Sequence, residues 1–244
     1  MKCAGKFLSA VAAALLATSV SAQAESARQA CAEALLQDSA GVDLSYRVDW
    51  KGLSLESTRR IERLDTGGWQ ARNLSSLLFM AIEENSQFEL RDGLIQSRSY
   101  NYQRKGMSKK QNLKLEFAEG YGYRAFSPKG DGRVSHPAPL FDLLNHQVQL
   151  RIDLACSAPR DEYVYDIARR SRVSEYRYRR VGEESVTTPA GTFNALRLER
   201  GDVGDRLDQV WLAPKLGYLI VKLVHQEDDE TAELVLTKMP GGSG

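Results

Sequence analysis

The chain has 244 residues, 33 Lys+Arg against 32 Asp+Glu, and three cysteines. Charge so nearly balanced makes no long-range field, which excludes a protein that gathers nucleic acid or anionic lipid by net charge. The length suits one all-β domain that grows by adding strands.

Residues 1–24 have the three parts of a secretory signal peptide. Lys2 and Lys6 form the positive region, Phe7 to Leu16 the apolar region, and Ala22-Gln23-Ala24 the small-x-small cleavage site. Cleavage there makes Glu25 the first mature residue. The signal segment carries two of the cations and none of the acids, so the mature chain balances at −1. No later apolar run approaches bilayer-spanning length. The expected product is periplasmic: exported, soluble after signal-peptide cleavage and not membrane-spanning. A lipid-anchored product would need a Cys directly after the cleavage site, where Glu25 stands. Cys3 leaves with the signal. Cys31 and Cys156 remain in a compartment where disulfides persist and are expected to pair, closing a 125-residue loop.

Glu25 to Asp38 is rich in Ala, Leu, Glu and Gln, with Ala27, Cys31 and Leu35 at helical spacing, which predicts a short helix ending near Gly41. From Val42 the period becomes two. Val42, Leu44, Tyr46, Val48 and Trp50 alternate with polar residues, the pattern of a strand with one covered face. Further strands are predicted at Leu53–Ile61, Trp69–Leu77, Phe88–Leu90, Ile95–Tyr102 and Leu113–Phe117, with turns at Thr66-Gly67-Gly68, Asp92-Gly93 and Glu119-Gly120. Asp92-Gly93 marks a hairpin, because a type I′ turn needs positive φ at both central residues. Together these strands predict an antiparallel meander.

Pro128 to Pro139 interrupts the rhythm and predicts an exposed loop or lid. A helix follows, with Asp142 as its cap, Leu144, Val148, Ile152 and Ala155 on one stripe, and Cys156 at its end. Strands return at Tyr163–Ile167, Val173–Val181, Phe193–Leu198, Gln209–Leu212, Tyr218–Val224 and Ala232–Thr237, with a tight turn at Pro189-Ala190-Gly191. Residues 25–239 read as one domain and 240–244 as a flexible tail.

The second half resembles the bacterial domain-of-unknown-function family 3108. The resemblance is carried by the stretch Gly182 to Ala195, Val210-Trp211-Leu212-Ala213-Pro214 and Tyr218-Leu219. Phe88 to Gly93, Tyr100, Tyr102, Asp142-Leu143-Leu144 and Arg151 match earlier in the chain. Asn145 and Ile220 depart from the pattern, at positions where Ser and Pro are usual. The resemblance implies a mainly β periplasmic protein similar to the half-barrels of lipoprotein carriers. In these a long curved antiparallel sheet wraps around one or two helices and an apolar cavity.

Reaction signatures are absent from the sequence. It has no Gly-x-Ser-x-Gly elbow, His-Glu-x-x-His, Cys-x-x-Cys or glycine-rich phosphate loop. His136, His146 and His225 lack metal-ligand spacing and read as surface or satisfied residues. The arginines from Arg169 to Arg180, interleaved with Tyr176 and Tyr178, imitate a nucleic-acid strip. An exported strand with one packed and one solvated face accounts for them more simply, and an anionic headgroup is the other partner such a row suits. Glu227-Asp228-Asp229-Glu230 lacks calcium-loop spacing and reads as a solvated hairpin turn.

Tyr46, Trp50, Trp69 and Trp211 are the candidate ligand-lining residues, although the same alternation serves an ordinary sheet-to-helix core. The expected function is a non-enzymatic envelope protein that binds or carries a lipid or other amphiphile, without a cofactor, a metal or nucleic acid. The alternative is an interaction or assembly module that contacts an envelope protein and has no small-molecule ligand. The carrier reading predicts an apolar pocket of at least about 300 Å³ between sheet and helix, with the proline loop near its mouth.

Overall fold

The two-residue period becomes fourteen strands in a computed structural model that describes residues 23–118, 122–202 and 206–239. The first eight are β1 (Leu44–Trp50), β2 (Leu53–Arg63), β3 (Trp69–Leu77), β4 (Met80–Arg91), β5 (Leu94–Lys105), β6 (Leu113–Phe117), β7 (Tyr123–Phe126) and β8 (Gly132–Val134). The other six are β9 (Glu162–Ala168), β10 (Val173–Thr188), β11 (Gly191–Asp202), β12 (Arg206–Ala213), β13 (Leu219–Glu227) and β14 (Glu230–Lys238). Two helices accompany them: α1 over residues 23–38 and α2 over Asn145–Cys156. The expected signal segment lies outside the described residues except for its last two positions, which begin α1.

The fold is mainly β. All fourteen strands form one antiparallel sheet in the order β8-β7-β6-β5-β4-β3-β2-β1-β14-β13-β12-β11-β10-β9. Its centre is the pairing of the first strand with the last, Tyr46 opposite Leu236 and Trp50 opposite Ala232. From that seam each half runs outward as a meander of hairpins, so the sheet is two meanders joined back to back.

The sheet curls until its edges approach without closing. The Tyr123 hydroxyl on β7 lies 2.6 and 2.8 Å from the carbonyls of Arg169 and Arg172, beyond the end of β9. Phe141 runs parallel to β9, accepting from the Ala168 N–H at 2.8 Å and donating to the Asp166 carbonyl at 2.9 Å. Edge backbone groups that would template another chain are thereby partly occupied.

Strand registers show which end the helices fill. Gln29 on α1 accepts from the Gly93 N–H at 2.7 Å, and Arg151 on α2 donates to the Gly217 carbonyl at 3.1 Å. Both helices therefore occupy the end of the concave face that carries the turns at 92–93 and 214–218. Cys31 and Cys156 are joined, with Cα atoms 5.7 Å apart, so α1 is fastened to the last turn of α2.

Several expectations are corrected. The first strand starts at Leu44 and not Val42, because Ala40 makes a separate parallel bridge to Ile61. The strand expected over Phe88–Leu90 is twelve residues long, Met80–Arg91. Its first half, Ile82-Glu83-Glu84-Asn85-Ser86-Gln87, is too polar to show a covered face in sequence. β7 was not expected, and β8 lies inside the segment expected to be only a loop.

The largest correction is α2. Its apolar stripe was expected to be its covered side, yet Asn145, His146, Gln149, Arg151 and Asp153 are buried together with Val148, Leu150, Ile152 and Leu154, while Ala155 is exposed. A helix surrounded on nearly all sides cannot be recognised from one stripe.

Candidate functional site

The concave face is lined by alternate residues, and register assigns them in rows. One row is Leu44, Arg59, Asn73 and Glu84; the next is Tyr46, Ser57, Ser75, Ile82 and Arg104; the third contains Val48, Leu55, Leu77 and Met80. The helix side of the face is filled up to Tyr46 and Ser57 of the second row, and a cavity opens over the rest of that row and over the third.

Where α2 lies, its polar side chains find partners on the sheet. Asp142 and Asn145 form a reciprocal capping box. Asp142 Oδ1 accepts from the Leu144 and Asn145 N–H groups at 2.8 Å, and Asn145 Oδ1 accepts from the Asp142 N–H at 2.9 Å. The Ser86 hydroxyl donates to Asp142 Oδ2 at 2.6 Å. Complete burial nevertheless pushes the Asp142 carboxyl up to about 7, against the pull of these hydrogen bonds.

His146 lies 3.0 Å from the Asp142 carbonyl through Nδ1 and 3.0 Å from the Tyr178 hydroxyl through Nε2. A neutral ring protonated at Nδ1 satisfies both contacts. Burial pushes His146 down to about 3 and Tyr178 up to about 12. Gln149 accepts from the Ile95 N–H at 2.8 Å, and Asp153 takes hydrogen bonds from Tyr165 at 2.8 Å and Arg28 at 2.6 Å. A buried polar network with its members paired fixes the helix in place.

Between α2 and the sheet two small spaces remain, one of about 60 Å³ lined by Tyr46, Arg59, Leu144, Val148, Arg151 and Ile220 among others, and one of about 150 Å³ lined by His146, Leu150, Tyr176, Tyr178 and Arg200 among others. This corrects the expectation of a large pocket there. A further space, about 330 Å³, lies beside the end of the proline loop, between Ile95, Ser97, Phe117 and Pro139. A larger one, about 670 Å³, sits at the opposite end of the concave face. Its walls include Val48, Leu55, Leu77, Met80, Ile82 and Met107, with Trp50 and Leu53 at the β1–β2 turn.

Polar residues stand around the mouth of that cavity. Arg104 is on one side, donating to Gln111 Oε1 at 2.6 Å, and His225 with Glu227, Asp228 and Glu230 are on the other. The next hairpin tip projects beyond the rim. Leu78 is 89% exposed and Phe79 78%. Leu78 also takes a left-handed φ of 53°, a conformation in which glycine or asparagine is cheaper.

The four aromatic candidates are not brought together. Trp50 is 42% exposed and lines the large cavity, and Tyr46 lines the small one. Trp69 is buried in the core with the Arg63 guanidinium 4.9 Å from its ring centroid. Trp211 is also buried, hydrogen-bonded to Glu184, with the Lys222 ammonium 5.3 Å from its ring. The sequence reading passed over Leu55, Ile82, Met80 and Met107. Leu55 and Ile82 sit at alternate positions of their strands, but polar neighbours on the same face masked the signal.

Tyr176 and Tyr178 point inward and are buried, whereas Arg177 and Arg179 are exposed, which is the packed-and-solvated arrangement the alternation predicts. Arg177 pairs with Glu162 at 2.7 Å and Glu175 at 2.9 Å. Among the described residues no group of three or more His, Cys, Asp or Glu is placed to hold a metal ion, and no helix is long and apolar enough to cross a membrane.

Residues 45–237 match the model of a family described as protein of unknown function DUF3108. The chain belongs to the DUF3108 family. This DUF3108 chain is similar in fold to a β-barrel-like protein of the DUF1849 domain from Brucella abortus, with TM-score 0.51 and 9% identity over 81% of this chain and 95% of that one. Weaker likenesses are to a putative lipoprotein from Parabacteroides distasonis, TM-score 0.33 and 14% identity over 82% and 95% of the two chains, and to LprF from Mycobacterium bovis. The latter has TM-score 0.28 and 7% identity over 91% and 95%. No match was found among curated proteins.

Proposed function

We propose that this DUF3108 protein is a non-enzymatic carrier of the bacterial cell envelope, exported to the periplasm by residues 1–24, that shelters the apolar part of an amphipathic ligand. The supporting observation is the cavity of about 670 Å³ on the concave face, walled by Val48, Leu55, Leu77, Met80 and Ile82. Its volume falls in the range of small-molecule sites, and most of its walls are apolar side chains. Half the concave face is packed by helices held by a disulfide and a polar network. A rigid floor beside an open apolar space lets ligand enter without unfolding the core.

Thermal unfolding with a long-chain fatty acid or lysophospholipid tests the reading, because a ligand that binds only the folded state raises its melting temperature. Ile82→Glu, which places a carboxylate in the apolar wall, is expected to abolish the rise, and Trp50→Ala to reduce it. Absence of any shift from single-chain amphiphiles, and of co-purifying lipid in native mass spectrometry of periplasmic material, removes the carrier reading.

The exposed Leu78-Phe79 tip favours a second reading, an assembly module that contacts an envelope protein. Photo-crosslinking from position 79 that captures one specific envelope protein, together with no amphiphile binding, favours this reading over the carrier.

A further inference from the structure

The small space between α2 and strands β1–β3 is apolar in most of its lining, yet four arginines and no acidic residue border it: Arg59, Arg60, Arg72 and Arg151. Two of them are neutralised from outside. Arg60 reaches Asp43 at 3.1 Å and Glu62 at 3.3 Å, and Arg72 lies 3.7 Å from Glu62.

The other two have no carboxylate partner among the described residues. Arg59 donates to the neutral Gln147 Oε1 at 2.9 Å and lies over the Tyr46 ring at 5.2 Å, and its Nε is buried without an acceptor. Arg151 is 6% exposed, and its one hydrogen bond runs from Nε to the Gly217 carbonyl at 3.1 Å. Burial lowers the Arg151 guanidinium to about 10, consistent with a cation that has lost its water without gaining an anion. Both guanidinium groups act on the Tyr46 hydroxyl, which burial pushes upward while they oppose the rise.

Elsewhere on the concave face Asp153 is matched by Arg28, and Asp208 by Arg200 and His225, while the buried Asp142 carboxyl takes hydrogen bonds from Ser86 and two backbone N–H groups. Two unmatched guanidinium groups in one small cavity are a large desolvation cost unless something negative joins them. The volume, about 60 Å³, holds a few water molecules or one oxyanion and is too small for an acyl chain. Guanidinium groups suit carboxylate and phosphate oxygens because their N–H donors match that geometry.

The pocket borders the large cavity. Tyr46 lines the small space, and its row neighbours Ser75 and Ile82 line the large one, so a single row of side chains separates them.

We propose that Arg59 and Arg151 form an anion site that receives the carboxylate or phosphate head of an amphiphile whose chain lies in the adjoining cavity. The assignment of the chain rests on the carrier reading; the anion site itself rests on the two guanidinium groups alone. Near-neutral net charge is no obstacle, because recognition here operates at contact distance inside a low-dielectric pocket.

The experiment measures melting temperature of the full mature protein at constant ionic strength with three probes: inorganic phosphate, palmitate and 1-hexadecanol. Phosphate alone and palmitate are expected to raise it, with palmitate binding at least tenfold more tightly than hexadecanol. Arg151→Gln should remove the phosphate response and the preference for palmitate. It should also raise the melting temperature of ligand-free protein, since it deletes an unmatched buried charge; a purely structural arginine would lower it. Arg59→Gln, at a half-buried position, supplies the same ligand comparison if Arg151→Gln fails to unfold cooperatively.

Equal binding of palmitate and hexadecanol with no phosphate response overturns the anion site and leaves the carrier standing. A phosphate response lost in both variants, with neither amphiphile bound, supports a free-anion site and removes the carrier. No response to any probe overturns both.

Discussion

Asp142→Asn gives a direct test of the buried network, because its consequence is a change in the shape of the stability–pH curve. In the folded protein the Asp142 carboxyl moves from its ordinary 3.8 to about 7 because it is fully buried. As pH rises the unfolded chain ionises first, so the folded state holds the extra proton and loses stability until pH passes about 7. The loss is about 4 kcal/mol at roughly 1.4 kcal/mol per pH unit. His146 acts oppositely. Its folded value is depressed from 6.5 to about 3, so its stability is present above pH 6.5 and lost as pH falls toward 3, again by about 4–5 kcal/mol.

Between about pH 4 and 6.5 these contributions have opposite slopes and nearly cancel in the wild-type protein. Asparagine keeps an oxygen for the Leu144 and Asn145 N–H groups and can donate to the Ser86 hydroxyl, so the cap survives while the titration disappears. The variant therefore gains about 4 kcal/mol relative to wild type between pH 4 and 7, most of it as the unopposed rise from His146. Urea unfolding followed by tryptophan fluorescence at half-unit pH intervals measures the difference. Parallel wild-type and variant curves would show that Asp142 is ionised in the folded protein across this range and that burial does not dominate its environment.

Three further outcomes are expected. Reduction of the Cys31–Cys156 bond, or its replacement by two alanines, opens a 125-residue loop worth about 5 kcal/mol by chain entropy, and the melting temperature should fall by roughly 10–20 °C. An unchanged transition would mean that α1 is held without the bridge. Ile152→Ala, at a fully buried position of α2, should cost about 2–5 kcal/mol in denaturant midpoint with little change in slope, whereas Ala155→Ser on the exposed position stays within about 0.5 kcal/mol. Equal effects at the two positions would contradict the placement of α2 inside the curved sheet. N-terminal analysis of material exported through the native signal should begin at Glu25, and retention of residues 1–24 in a soluble cytoplasmic product would remove the periplasmic assignment.

The parts of the fold legible in sequence are those set by local chemistry. Asp92-Gly93 folds as the expected hairpin turn, with φ of 56° and 69°, because these two residues tolerate positive φ at adjacent positions. The alternation from Leu44 to Trp50 becomes β1, and Asp142 caps its helix because a short acidic side chain can reach free N–H groups two and three residues ahead. Cys31 and Cys156 are joined, as expected from the sequence.

What lies opposite a covered face was not legible. Period two says that Tyr46, Val48 and Trp50 share a side, but not that helices cover the first and leave the last on an open cavity. The polar half of β4 shows no hydrophobic face because its inner residue Ser86 serves Asp142, 56 positions later, while Met80 and Ile82 at its start line the cavity. α2 mixes Asn, His, Gln, Arg and Asp with aliphatic residues, which reads as a one-sided helix until the sheet is seen to surround it. Arg59 and Arg151 are ordinary cations in a balanced composition. They become an unmatched pair only when β2 and α2, about 90 residues apart, bury them in one space without a carboxylate. Such convergence depends on pairings between distant segments, β1 with β14 above all, and local periodicity carries no record of them.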